Sequence, residues 1–134
     1  MAKRKRTDGR AVSETARNRG AMAYLAGLAA EASVERLYAT EGRQIAARRW
    51  RGTGGEIDLI ARDGAGLIFI EVKQSRGFEE AAAHLSAGQI GRLYAAASEF
   101  MAGEPRGLDT DARFDVALVD GGGRVRILEN ALCA

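Results

Sequence analysis

The segment from Gly55 to Lys73 restricts the fold of this chain more than any other. Two stretches rich in apolar residues, Glu56–Arg62 and Leu67–Lys73, flank the sequence Asp63-Gly64-Ala65-Gly66. Strand-forming residues on both sides of a short loop that contains glycine are typical of a β-hairpin. We therefore predict two antiparallel strands joined by a four-residue connection at residues 63–66.

The register of this hairpin follows from its loop, because the residues that flank the loop face each other. The predicted pairs are Arg62 with Leu67, Ile60 with Phe69, Asp58 with Glu71 and Glu56 with Lys73. Since side chains alternate between the two faces of a strand, the charged residues share one face. That face carries Glu56, Asp58, Glu71 and Lys73, and the other carries Ile57, Leu59, Ile68, Ile70 and Val72.

The predicted Asp58–Glu71 pair places two like charges side by side. Directly opposed side chains on a hairpin have Cβ atoms ~4.5–5.5 Å apart, where like charges destabilise the pairing. A divalent cation would remove the conflict, because Mg²⁺ takes carboxylate oxygens, waters and phosphate oxygens as ligands. Lys73 on the same face would hold an attacking water or stabilise charge on a phosphate. The alternative is a solvent-exposed face on which Lys73 pairs with Glu56 or Glu71.

The remaining sequence predicts helices before and after the hairpin and further strands around it. We predict a helix or a broken pair of helices from Ser13 to about Glu41, ended by Gly42, and a helix from about Ser86 to Met101. Further strands are predicted at Gln44–Arg51, Phe114–Val119 and Val125–Leu128. This order predicts one α/β domain over residues 13–134, with helices packed on a central sheet.

The first residues are strongly basic. Residues 1–19 contain seven Lys or Arg against Asp8 and Glu14, although the net charge of the whole chain is only +2. A basic arm suits a polyanion such as DNA through counterion release. A solvated tail without a partner is the alternative, and we predict residues 1–12 to be flexible.

Composition excludes several kinds of chemistry. The chain has one cysteine, Cys133, and one histidine, His84, whereas a Zn site usually needs four N or S ligands. His84 is interpreted as a surface or helix-start residue. The sequence has no apolar run of about 18 residues and no apolar stretch near its N-terminus. We expect a cytoplasmic protein that binds no membrane and no small-molecule cofactor, and a homodimer would help so small a core bury surface.

The sequences Gly55-Glu56-Ile57-Asp58-Leu59-Ile60-Ala61 and Phe69-Ile70-Glu71-Val72-Lys73 resemble the PD-(D/E)xK signature of restriction-endonuclease-like nucleases. Within that superfamily the chain is similar to the YraN family, small bacterial proteins usually described as predicted endonucleases, and to archaeal Holliday-junction resolvases. Weaker similarities lie at Ala30-Glu31, Gly42, Ile45, Arg48–Arg51, Gln89 and Arg113–Val116. The resemblance covers most of residues 19–130, and it implies a restriction-endonuclease-like mixed sheet of about five strands with flanking helices.

The resemblance also implies a metal-dependent phosphodiesterase core. Asp58 and Glu71 would bind Mg²⁺ or Mn²⁺, and Lys73 would be the catalytic lysine. Glu31 would add a third carboxylate, although it also suits a glutamate at the edge of an apolar stripe. Gln89 would orient water or the lysine, or it is a polar residue on a helix edge.

Other residues are assigned supporting roles. Glu56 would support the acidic pair or form an ion pair with Lys73. Arginines dominate phosphate contacts in nucleic-acid complexes, so the candidates for DNA contact are Arg48, Arg49, Arg51 and Arg76. Trp50 lies among the first three, and we interpret it as a core residue rather than a platform for a base. Two departures from the family pattern are Ala30 in place of glycine and the position of Arg76, one residue later than usual.

The sequence thus predicts a Mg²⁺-dependent endonuclease that hydrolyses phosphodiester bonds in DNA, with branched or damaged DNA as candidate substrates. The alternative is a non-catalytic nucleic-acid-binding module that retains the nuclease fold. The acidic pair argues against that alternative, because carboxylates that face a polyanion weaken its binding. An adaptor protein that acts through a dimer surface is a third hypothesis, without specific support in the sequence.

Overall fold

A computed structural model describes residues 2–74, 76–78 and 86–131, with side chains described from Thr15 onward. The elements follow in the order α1 (Ala2–Thr40), β1 (Ile45–Arg51), β2 (Glu56–Asp63), β3 (Gly66–Gln74), α2 (Ala87–Met101), a short 3-10 helix (Gly107–Asp109), β4 (Ala112–Val119) and β5 (Val125–Leu128). Their order agrees with the predicted one, and the bounds differ by a few residues. His84 and Cys133 lie outside the described residues.

The five strands form one sheet in the order β1-β2-β3-β4-β5. All neighbours pair antiparallel except β3 and β4, which are parallel. A parallel pair needs a long crossover, and α2 lies in the chain between β3 and β4. The predicted mixed α/β sheet of about five strands with flanking helices is therefore confirmed.

The two helices cover opposite faces of the sheet. On the α2 face, Leu93, Ala96 and Ala97 pack with strand residues such as Ile60 and Phe69. On the α1 face, a second apolar cluster consists of Ala30, Val34, Tyr38, Leu59, Ala61, Ile68, Ile70, Ala117 and Val119. Both faces of the hairpin are consequently buried over most of its length. Apart from Arg62 and Asp63 beside the loop, the charged side chains of the hairpin lie at its open end, so the charged face is shorter than the predicted one.

Helix α1 is longer than the sequence predicted and only partly packed. It begins at Ala2, whereas the sequence predicted a flexible tail and a helix start near Ser13. Residues 2–12 contain Ala, Lys and Arg, which are good helix formers, and a single glycine there is tolerated. The helix ends as predicted, because Gly42 adopts a φ of 79° and its N–H donates to the carbonyl of Ala39. Within the described residues, no helix combines the length and the apolar character needed to cross a bilayer.

Candidate active site

The β2–β3 hairpin has the predicted register, but its backbone pairing stops just before the acidic residues. The pairs run from Asp63 with Gly66 to Leu59 with Ile70. At the next position the Asp58 carboxylate, rather than a backbone carbonyl, accepts the N–H of Val72 at 2.8 Å. A side chain therefore takes over a ladder hydrogen bond, and the strands separate where the acidic residues lie.

The alternation of side chains also breaks at Asp58. Ile57 packs in the α2-side cluster together with Ile60, although strict alternation would place it with Leu59. The predicted face of Ile57 is therefore wrong. On β1 the residue opposite Asp58 is Arg49, whose φ of 46° lies in the left-handed region. Because a non-glycine residue adopts this conformation at an energetic cost, both strands are irregular at the same level.

Glu71 lies at the centre of the site and is only 6% exposed. Its Oε1 atom accepts a hydrogen bond from Nε2 of Gln89 at 2.6 Å and lies 3.2 Å from Nζ of Lys73. Gln89 is in the first turn of α2, where its N–H donates to Oγ of the capping residue Ser86. Because this cap fixes where α2 begins, it also fixes the position from which the Gln89 side chain reaches Glu71. The structure thus brings together three residues that the sequence singled out.

Burial and the charge of Asp58 raise the pKa of Glu71 to about 7, against the opposing effect of Lys73. Burial likewise raises the pKa of Asp58, against the opposing effect of the Val72 N–H. Within the described residues, half-buried Asp58 and buried Glu71 share one neighbouring ammonium group, so the cluster carries an uncompensated negative charge when both are ionised. A proton or a cation is needed to balance it.

Glu31 lies near this pair but is engaged elsewhere. Its Oε2 atom lies 2.9 Å from Nε of Arg49, and the Arg49 guanidinium lies 5.2 Å from the ring of Tyr24. Burial raises the pKa of Glu31 and the charge of Asp58 adds to the rise, whereas Arg49 lowers it. Among the described residues, no three His, Cys, Asp or Glu side chains are grouped so that they could hold a metal ion. The structure therefore gathers two of the three predicted carboxylates.

The arginines predicted to contact DNA on β1 are all bound to glutamates. Nε of Arg48 donates to Glu35 at 2.9 Å, and Arg49 binds Glu31. Arg51 lies 3.0 Å from Glu56, which is its partner in the β1–β2 register. Of the two roles considered for Glu56, an ion pair with Lys73 is not the one found, because Glu56 binds Arg51 and Lys73 binds Glu71.

The remaining candidates differ in their surroundings. Arg76 is exposed just beyond β3 and has no ion pair within the described part of the chain. Trp50 packs against the α2-side core, edge-on to Phe100 with ring centroids 5.4 Å apart. The interpretation of Trp50 as a core residue agrees with this position.

Sequence reasoning missed how the loop between β1 and β2 is held. The carboxylate of Glu99 on α2 accepts the N–H groups of Thr53 at 2.9 Å and Gly54 at 3.1 Å. A Cβ on Gly54 would lie 2.6 Å from Cβ of Ala95, so only glycine allows this approach. The run of glycines at this loop was the available signal of a close contact. These hydrogen bonds from the loop to Glu99, the Glu99 clamp, hold the start of β2 against α2. They thereby fix the strand that carries Asp58 next to the helix that carries Gln89.

The donor set of the site fits a hard divalent cation. Asp58 and Glu71 offer carboxylate oxygens, the ligand type that Mg²⁺ and Mn²⁺ prefer in proteins. Two ionised carboxylates that are partly shielded from water repel each other. A bound cation removes that repulsion, so the charge of the site favours cation binding. No nitrogen or sulfur ligand of the kind that Zn²⁺ prefers is part of this described cluster.

Fold and site together define an α/β protein with a five-stranded mixed sheet between two helices, and with an acidic pair and a lysine at the open end of its central hairpin. Residues 30–119 match the profile of the uncharacterised protein family UPF0102. The chain belongs to this family, which is the YraN family that its motifs resemble, so the predicted family is confirmed.

Relatives from several bacteria agree with this assignment. A UPF0102 protein of Cereibacter sphaeroides is 62% identical over 115 residues, covering 86% of this chain and 98% of the relative. One from Ruegeria pomeroyi is 59% identical over 114 residues, covering 85% and 93%. One from Dinoroseobacter shibae is 47% identical over 112 residues, covering 84% of each chain.

Proposed function

We propose that this protein is a metal-dependent endonuclease that hydrolyses phosphodiester bonds in DNA. The observation that carries the proposal is the pair of buried Glu71 and half-buried Asp58, with Lys73 and Gln89 in contact with the Glu71 carboxylate. A structural acidic cluster would gain stability by losing its excess charge. A cation-binding cluster needs that charge, and nucleases use it to place a metal at a phosphate.

Asp58 and Glu71 would hold Mg²⁺ or Mn²⁺ between them. When bound, the cation would lower the pKa of a water molecule and neutralise charge on the phosphodiester oxygens. The chain's contribution is to orient both carboxylates toward the cation. Asp58 is fixed by the N–H of Val72, and Glu71 is fixed by Gln89.

Lys73 would act on the phosphodiester and its attacking water. Its side chain is 18% exposed and its Nζ atom lies 3.2 Å from Oε1 of Glu71, so the ammonium group is next to the acidic pair and reachable from solvent. From there it would donate hydrogen bonds to the attacking water or to a phosphate oxygen, and its positive charge would offset charge that develops in the transition state. Gln89 acts through Glu71 and is therefore a positioning residue.

The proposal is tested by cleavage of plasmid, single-stranded and four-way-junction DNA with Mg²⁺, with Mn²⁺ and with EDTA. We expect cleavage with either metal and a loss of at least 100-fold in Asp58→Asn and Lys73→Ala, because each removes a group that contacts the reacting atoms or the cation. Asp63→Asn is the matched control, since Asp63 is an exposed aspartate at the other end of β2. It should cleave as the wild type does.

Two outcomes would contradict the proposal. If the wild type and Asp58→Asn are equally inactive on every DNA and with both metals, the protein is not the proposed endonuclease. DNA binding that is salt-sensitive and survives Glu71→Ala, together with no cleavage, would favour a non-catalytic DNA-binding module. Calorimetric titration with Mn²⁺ gives a readout besides activity, because Glu71→Gln should abolish binding that the wild type shows.

A further inference from the structure

An arginine that the sequence did not single out, Arg92, lies beside the candidate active site. It follows Gln89 by three residues on α2, so the two side chains are neighbours along one surface of the helix. Helical side chains lean toward the N-terminus. Nη1 of Arg92 lies 3.6 Å from the place where a Cβ on Gly88 would be. The guanidinium therefore folds back over the first turn of α2, the turn that directs Gln89 at Glu71.

The start of β2 meets α2 at the same point. A Cβ on Gly55 would lie 3.0 Å from Cβ of Arg92 and 3.1 Å from its carbonyl oxygen, so the two backbones are in close contact. Gly55 directly precedes β2, and Asp58 lies three residues further along the chain, on that strand. Arg92 thus lies at the junction of the two elements that supply Asp58 and Gln89, and the Glu99 clamp on the β1–β2 loop fixes that junction.

The partners of Arg92 distinguish it from the arginines of β1. Arg48, Arg49 and Arg51 each form an ion pair with a glutamate. Arg92 is exposed and has no acidic partner within the residues that the structure describes. A guanidinium group can bind two phosphate oxygens at once, and one without a carboxylate partner need not give up an existing ion pair to do so.

We propose that Arg92 binds a phosphate of the DNA strand that enters the site, next to the phosphodiester held at Asp58 and Glu71. The proposal takes its substrate class from the proposed function. Its measurement does not depend on cleavage, because phosphate binding is observed with EDTA present and no metal bound. Arg92 then aligns the strand, and the acidic pair and Lys73 act on the bond.

The test is fluorescence anisotropy of a short labelled DNA duplex over a series of salt concentrations, with EDTA. Arg92→Ala should weaken binding about tenfold and reduce the slope of log affinity against log salt by ~1. Arg92→Lys keeps the positive charge but loses the planar guanidinium group that can bind two phosphate oxygens. Its salt slope should match that of the wild type, and its affinity should lie between those of Arg92→Ala and the wild type. Arg106→Ala is the charge-matched control, since Arg106 is exposed beyond the other end of α2.

The salt slope separates a lost phosphate contact from partial unfolding. An unfolded fraction lowers the apparent affinity at every salt concentration and leaves the slope unchanged. The proposal is overturned if Arg92→Ala and Arg106→Ala both match the wild type, or if the wild type binds no DNA. Neither result depends on the cleavage assay of Asp58→Asn, so the two proposals can fail separately.

Discussion

Two buried acidic sites lie on strands of the same sheet, and they differ in charge balance. Asp115 on β4 is fully buried and accepts four hydrogen bonds, two from the Arg113 guanidinium, one from the Tyr38 hydroxyl and one from the Asn130 N–H. The buried Asp115 carboxylate there has the Arg113 guanidinium as its counter-ion, and the exposed Glu129 lies 3.7 Å from the same guanidinium. At the hairpin, Asp58 and Glu71 have one cation, Lys73, between them among the residues that the structure describes.

The difference separates a structural acid from a candidate functional one. The Asp115 network joins α1, β4 and the chain after β5, and its one buried carboxylate has a guanidinium of its own within the protein. The Asp58–Glu71 pair is incomplete, because neutrality requires a proton or a cation from outside. Local charge conflicts that a fold retains are expected at functional sites.

The largest expected effect comes from making the same substitution at both sites. Asp115→Asn should lower the free energy of unfolding by about 3 kcal/mol, because it leaves the part-buried Arg113 guanidinium with only the exposed Glu129 as a carboxylate partner. Asp58→Asn should change it by less than about 1 kcal/mol or raise it, since it removes surplus charge and keeps an oxygen for the Val72 N–H. Urea unfolding at pH 7.5 without metal measures both. Equal losses in the two variants would contradict the distinction.

The second prediction concerns pH. Folding raises the pKa of Glu71 from 4.5 to about 7, so the native state binds more protons than the unfolded state between these values. The stabilisation from this group is fully present below pH 4.5 and is lost as pH rises through 7. The loss should be on the order of 3 kcal/mol.

Glu71→Gln tests this assignment, because glutamine does not titrate. The variant should lack this component of the pH dependence and should be more stable than the wild type at pH 8. Urea unfolding from pH 4.5 to pH 8 measures it in both proteins. Glu129→Gln, which replaces an exposed glutamate near Arg113, is the control and should follow the wild-type profile. A parallel profile for Glu71→Gln would assign the titration to another group.

Sequence alone predicted the parts of this site that depend on local pattern. The hairpin register, the helix that carries Gln89 and the apolar strands follow from alternation, turn residues and capping. The interruption at Asp58 could not be predicted, since it arises where the left-handed backbone of Arg49 meets β2 across the sheet.

The glutamate partners of the β1 arginines could not be predicted from the sequence either. Arg49 and Glu31 are 18 residues apart, and Arg48 and Glu35 are 13 apart. These pairs form only because α1 packs over the edge of the sheet that β1 provides. The position of Arg92 likewise depends on the contact between Gly55 and α2. Contacts between residues far apart in the chain do not produce a periodic pattern in the sequence, so pattern-based reasoning cannot predict them.

A third prediction uses metal to complete the unbalanced site. Mg²⁺ at about ten times its dissociation constant should stabilise the wild type by about 1.4 kcal/mol. Thermal unfolding with and without Mg²⁺ measures the effect. Glu71→Gln should show no such gain, whereas Glu129→Gln should keep it. A gain that persists in Glu71→Gln would place the bound cation elsewhere.

The smallest expected effect concerns whether Glu31 joins the acidic pair. Arg49 neutralises Glu31 in the structure, so Arg49→Gln would release that carboxylate while it removes one positive charge near Asp58. Calorimetry should then show Mn²⁺ affinity rising about threefold, within the range of partly exposed ion pairs. Arg48→Gln removes the same charge from the adjacent residue but releases Glu35. A general electrostatic effect would therefore raise the affinity in both variants, and a third carboxylate ligand would raise it only in Arg49→Gln.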